Sequence, residues 1–172
     1  SWTILDSGEL LLGSPIGSTT ITLEHIELQT TGSATGVSFD IPATLETNDV
    51  VLFWCHKDDD IGGSWRVGSD SSDSVDQGFI NKINLASSDG VNDINSGLVY
   101  KHITDASSEP TNGTQWKPNT TDSDGLYVYM VILRGVDVTN AASIFDSVTP
   151  TLTVRANTTT PAAVGITTST AG

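Results

Sequence analysis

Apolar and polar residues alternate in short runs along this chain, with the two-residue period of a strand that is covered on one side and wet on the other. Over 20–29 the apolar set is Ile21, Leu23, Ile26 and Leu28. The alternation slips by one between Leu23 and Ile26, which predicts a bulge or a break into two strands. Residues 36–41 alternate cleanly and stop at Pro42. Residues 49–55 are almost continuously apolar, the pattern of a strand covered on both faces. Another strand is expected over 97–103. The strongest runs over 126–134 between Gly125 and Gly135, with Tyr127 and Tyr129 on one side of it. Residues 150–156 alternate again, and 163–166 close the series.

Between these runs lie stretches of Gly, Ser, Asp and Asn at 56–78, 86–97, 104–125 and 157–162, which read as loops. The longest exceed the ~12–15 residues beyond which a loop more often serves a function than merely connects. Only 140–145 has the look of a helical turn, with Thr139 as its cap. Residues 1–18, with Gly8, Gly13, Pro15 and Gly17, read as an N-terminal arm or linker, and 19–172 as one domain. Several short strands with turn chemistry between them predict an all-β fold: an antiparallel β-sandwich, jelly-roll-like, with an extended N-terminal arm.

Composition strengthens the strand assignment and narrows the partners. Ser and Thr number 44 against only 7 Lys and Arg, so the usual vocabulary of helix surfaces is scarce. Twenty-one acids leave a net charge of −14, which repels phosphate backbones and anionic lipid headgroups. Neither nucleic acid nor a membrane is therefore expected as a partner. The apolar runs are also far shorter than the ~20 residues of a membrane-spanning helix.

Candidate chemistry is sparse. Cys55 is the one cysteine and lies within an apolar run, where a small buried side chain is expected. His25, His56 and His102 have no second His or Cys at metal-ligand spacing, and the Asp-rich stretches lack the closing Glu of a calcium loop. No metal, no cofactor and no catalytic residue is therefore expected, and the protein is not expected to be an enzyme. Trp65 and Trp116 stand apart, because both fall in stretches with loop composition. Each either folds back to cap the core or serves as a contact residue that stacks on a sugar or anchors a neighbouring subunit.

One ordered set of motifs adds a resemblance. Asn48-Asp49-Val50-Val51-Leu52-Phe53 is followed by Trp65, then by Tyr100-Lys101-His102-Ile103-Thr104 and Glu109-Pro110. Trp116, Leu133-Arg134-Gly135-Val136-Asp137, Pro161 and Ile166-Thr167-Thr168 complete the order. Over 48–168 the chain resembles a loosely defined module of bacteriophage virion proteins and some bacterial surface proteins. The resemblance implies a jelly-roll-like sandwich used in capsid decoration, fibres or tail appendages, and it carries over no catalytic residues. The expected function is that of a structural virion protein, displayed on the outside of the particle. Other virion proteins are its expected partners, with a homo-oligomer, preferably a trimer, as its state. The alternatives are a carbohydrate- or receptor-binding module, with a host-surface glycan as ligand, and a bacterial surface adhesin domain.

Overall fold

The computed structural model describes residues 3–4, 9–11, 20–58, 65–69, 77–88, 93–109, 115–139 and 144–145. They form eight strands: β1 (Thr3–Ile4), β2 (Glu9–Leu11), β3 (Ile21–Gly36), β4 (Val50–Lys57), β5 (Arg66–Ser69), β6 (Ile80–Ser88), β7 (Asp93–His102) and β8 (Trp116–Arg134). The fold is all-β and antiparallel, as the alternation predicts. One sheet runs in the order β1-β2-β3-β8-β4-β7-β6, with β5 paired to β8 off this path. The one helical element among the described residues is a 3-10 turn, Ala106–Ser108, capped by the Asp105 side chain, which accepts from the Ser107 N–H.

β8 organises the sheet because it is long enough to take two neighbours along one side. Its second half pairs with β4 from Leu126 to Leu133, and its start pairs with β5 from Trp116 to Asn119. β3 runs along the other side, from Thr22 opposite Arg134 to Gly36 opposite Asn119. The register slips between Leu23 and His25, where the sequence alternation slips. Residues 37–39 continue beside β8 through the Phe39 N–H to Trp116 carbonyl bond (2.8 Å) and its reciprocal (3.1 Å).

Three expected loops are corrected. The stretch 56–78 contains β5, 86–97 contains the end of β6 and the start of β7, and 104–125 contains the first half of β8. Thr, Asp and Ser are frequent in that half of β8, so it carries no apolar alternation, but its backbone pairs with β5 from Trp116 to Asn119 and with β3 at Asn119 and Asp124. Parts of the 1–18 segment enter the sheet: β1 pairs with β2, and β2 with Ile21 and Thr22. The strands expected over 150–156 and 163–166, and most of the turn at 140–145, lie outside the described residues, as do most of the Asp-rich stretches at 58–63 and 70–76.

The core lies on one face of the sheet. Val51, Phe53 and Cys55 of β4, Val99 of β7, and Leu126, Val128, Met130 and Ile132 of β8 point into it. The sheet curls around this face, so Phe39, Trp65, Val67, Phe79, Ile103 and Trp116 close it. Phe53 meets the Phe39 and Phe79 rings at 5.2 and 5.3 Å, and Trp116 stands edge-on to Phe53 and Phe79 at 6.3 and 5.6 Å. Such tilted and edge-to-face contacts each add about 0.5–1.5 kcal/mol beyond area burial. The curl also brings the β5 limb against β7 and β6: Trp65 Nε1 donates to Asn95 Oδ1 (2.9 Å), and Asn81 Nδ2 donates to the Trp65 carbonyl. The Trp65 indole lies where a Cβ on residue 97 would stand, so position 97 accepts only glycine without repacking.

Candidate functional site

The two tryptophans singled out by sequence are both fully buried in this core. Their ring faces pack against protein, Trp65 over Gly97 and Trp116 among the phenylalanines, and neither is presented to a ligand in this arrangement. Two of the motif pairs also meet inside the fold. Asp49, fully buried, accepts from Arg134 Nε on Oδ1 (2.8 Å) and from Arg134 Nη2 on Oδ2 (3.0 Å). The same Oδ2 accepts the Glu46 N–H (2.8 Å), and Arg134 Nη2 also donates to the Thr44 carbonyl (2.8 Å). The Asp49 carboxylate, with Glu24 and Glu46 near the same guanidinium, raises the affinity of Arg134 for its proton. This fork ties the start of β4 to the end of β8. Lys101 Nζ likewise donates to the buried Glu109 carboxylate (2.7 Å). These residue types at these positions hold strand ends in place.

The remaining titratable groups near the sheet show structural or solvated environments. Burial pushes the Cys55 thiol well above its usual range, so little thiolate forms there. His25 lies beside Glu27 on the polar side of β3, with Nε2 3.4 Å from the carboxylate. His102 Nε2 stands 3.2 Å from Asn48 Oδ1. Among the described residues no group of three or more His, Cys, Asp or Glu is placed to hold a metal ion. Nor is any helix among them long and apolar enough to cross a membrane.

The unusual feature is the opposite face of the same sheet. Directly opposed residues in an antiparallel pair share a face, so the registers define rows across it. One row reads Leu28, Tyr129, Trp54, Leu98 and Ile83 across β3, β8, β4, β7 and β6. The next reads Ile26, Val131, Leu52, Tyr100 and Ile80. Above the first lie Thr30, Tyr127, His56 and Ser96. Below the second lie Leu23, Leu133, Val50 and His102. No Asp, Glu, Lys or Arg occupies these rows. On β3 this face is the apolar one, because His25, Glu27, Gln29 and Thr31 stand on the core side opposite Ile132, Met130, Val128 and Leu126.

Cover over this face is uneven. Leu98 and Tyr100 of β7 are buried, and Phe145 stands edge-on to Tyr100 at 4.9 Å. Lys82 Nζ lies 5.1 Å from the Phe145 ring centre. Away from β7 the cover thins on both sides: Leu23, Ile26, Leu28, Trp54, Tyr127 and Tyr129 of β3, β4 and β8, and Ile80 of β6, are between 40% and 59% exposed. Trp54 and Tyr129 are directly opposed, and the Trp54 and His56 rings lie 6.0 Å apart. His56 Nδ1 is 2.9 Å from Ser96 Oγ, and its burial lowers its affinity for a proton, keeping the imidazole neutral at pH 7. The outcome is an uncharged, largely apolar patch with an aromatic strip, on a chain of net charge −14. The 49–55 run, expected to be covered on both faces, is covered on one: Trp54 on its outer side is half exposed, because no described element packs over it there. The shared side of Tyr127 and Tyr129 belongs to the same face. Without strand partners assigned, the two runs could not be joined into one surface.

No family model matches the chain, and no curated relative or solved structure matches it either.

Proposed function

We propose that this chain is a non-enzymatic structural component of a bacteriophage particle, displayed on the virion surface and acting through contacts with other virion proteins and with copies of itself. In this proposal the fold is a jelly-roll-like sandwich and residues 1–18 serve as the docking arm. The observation that carries a contact role is the exposed face formed by Leu23, Ile26, Leu28, Trp54, Tyr127 and Tyr129. Soluble chains rarely leave adjacent apolar side chains open over several strands unless something binds there. The particle assignment rests on the ordered motifs of 48–168. Antibodies raised against the purified chain should decorate particles sedimented from the source culture, as seen by electron microscopy. Signal confined to the cell fraction would overturn the assignment. Deleting residues 1–18 should then abolish attachment to the particle while the sheet stays folded.

One observation favours a second reading, a glycan-binding module. Trp54, Tyr127 and Tyr129 present rings on adjacent positions of β4 and β8, and flat aromatic surfaces stack on sugar rings. That reading moves the candidate contact from Trp65 and Trp116 to the strand aromatics. Binding to a broad glycan panel that disappears in Trp54→Ala would favour it, and a folded sample that binds nothing would remove it.

A further inference from the structure

We infer that the exposed patch on β3, β8 and β4 is a self-association surface, on which a second copy of this chain seats the same patch by two-fold rotation. This inference rests on the face being a contact surface and does not depend on the particle assignment.

Four observations lead to a second copy. The first is charge. Two chains that each carry −14 can approach closely only where carboxylates are absent, and the rows from Leu23–Leu133 to Thr30–Tyr127 contain none. The second is pattern. β3 turns its apolar side chains, Ile26 and Leu28, toward this face and its polar ones toward the core, so the strand is built for cover on this side. β4 carries apolar residues on both sides, as a strand between two layers does. The third is size. Six side chains left about half exposed offer on the order of 600 Å² of apolar surface, against the ~800 Å² that each partner contributes to a standard interface. The partly covered Leu52, Val131 and Leu133 extend the patch toward that figure. The fourth is position. Phe145 covers Tyr100 of β7 and separates exposed Ile80 of β6 from the larger open part, which is centred on β8 with Tyr129 and Trp54 directly opposed.

A two-fold rotation sets the same patch of each copy against the other, with the two sheets ~10 Å apart where the outward-curving faces meet. A three-fold assembly needs two different patches, so the pairing is a dimer, and a trimer requires a second surface. Trp54 and Tyr129 are then the central anchors, since buried aromatics near the middle of an interface dominate its energetics.

The test is light scattering on the full chain across concentration and salt. The expected mass is twice the 18.1 kDa of the chain. Raising salt from about 0.02 to about 0.5 M should tighten the pairing several-fold, because screening removes repulsion between two acidic copies while leaving apolar contact intact. Trp54→Glu and, separately, Ile26→Lys should each weaken association about a hundredfold or more, with the urea midpoint showing that the variant remains folded. The second variant guards against misfolding of the first. A trimer, a monomer at every concentration and salt, or a dimer indifferent to both substitutions would overturn the inference. A monomer whose antibodies still label particles would remove the pairing and leave the particle proposal standing.

Discussion

β4 and β8 each present two faces, and the two could hardly differ more in fate. Phe53 and Met130 are sealed in the core, while their chain neighbours Trp54 and Tyr129, larger still and likewise opposed across the ladder, stand about half in water. Hydrophobicity alone therefore does not decide burial in this sheet. What decides it is whether other elements curl over the face. Phe39, Trp65, Phe79 and Trp116 do so on the inner side, whereas among the described residues Phe145 meets the outer face at Tyr100 of β7. The inner face holds the buried core, and the outer face leaves large apolar side chains half exposed.

That contrast can be broken most severely from the inside. Trp116→Ala should destabilise the chain by about 3–5 kcal/mol, measured by urea unfolding, because it leaves a cavity bounded by Phe53 and Phe79. Trp116→Phe should cost much less, since Nε1–H meets no acceptor among the described residues. Should Trp116→Ala instead leave stability intact, the indole would not belong to the core.

Asp49→Ala comes next. It strips the two carboxylate bonds from Arg134, and the expected loss is about 2–3 kcal/mol, moderated by the guanidinium's remaining carbonyl and Glu partners and its partial exposure. Trp54→Ser should change the unfolding free energy of the isolated chain by under about 1 kcal/mol, because half of the ring is already wet. A loss comparable to that of Trp116→Ala would mean that the two faces are not energetically distinct.

The smallest effect is expected from pH. Burial lowers the proton affinity of folded His56 below the ordinary value of 6.5, so the unfolded chain binds that proton more readily. Its contribution is complete above pH 6.5 and is lost as pH falls through the lowered folded value. Its neighbours in the pleat, Trp54, Ser96 and Tyr127, carry no charge that offsets this. Wild type should therefore lose more stability than His56→Gln between pH 7.5 and 5, while the titration of the carboxylates is common to both. Equal losses would show that His56 is not desolvated.

Much of this architecture is legible in the residues, and the exceptions have physical causes. The slip between Leu23 and Ile26 locates a real bulge, and the 126–134 run marks the second half of β8. The first half of β8 and all of β5 are not visible, because Thr, Ser, Asp and Gly there satisfy the ladder with backbone groups alone. Trp65 and Trp116 looked like loop residues for the same reason: each opens onto a strand that the alternation does not announce. The outer face was hidden differently. Its residues are plainly apolar, but only the registers show that Leu28, Tyr129 and Trp54 stand side by side.

The placement of β8 also sets the order in which the molecule can form. β4, β7 and β6 can pair with one another as soon as β7 has been synthesised, but β3 has to wait for β8, since Leu23 pairs with Leu133. Until then the apolar side of β3 and both sides of β4 are open on a nascent chain, which is a hazard for pairing with the wrong strand. Folding should be slow and late, limited by closure of a long loop, and concentrated at the step when β8 slides between β3 and β4. A ribosome that stalls before Trp116 would release a chain with half a sheet and no way to finish it.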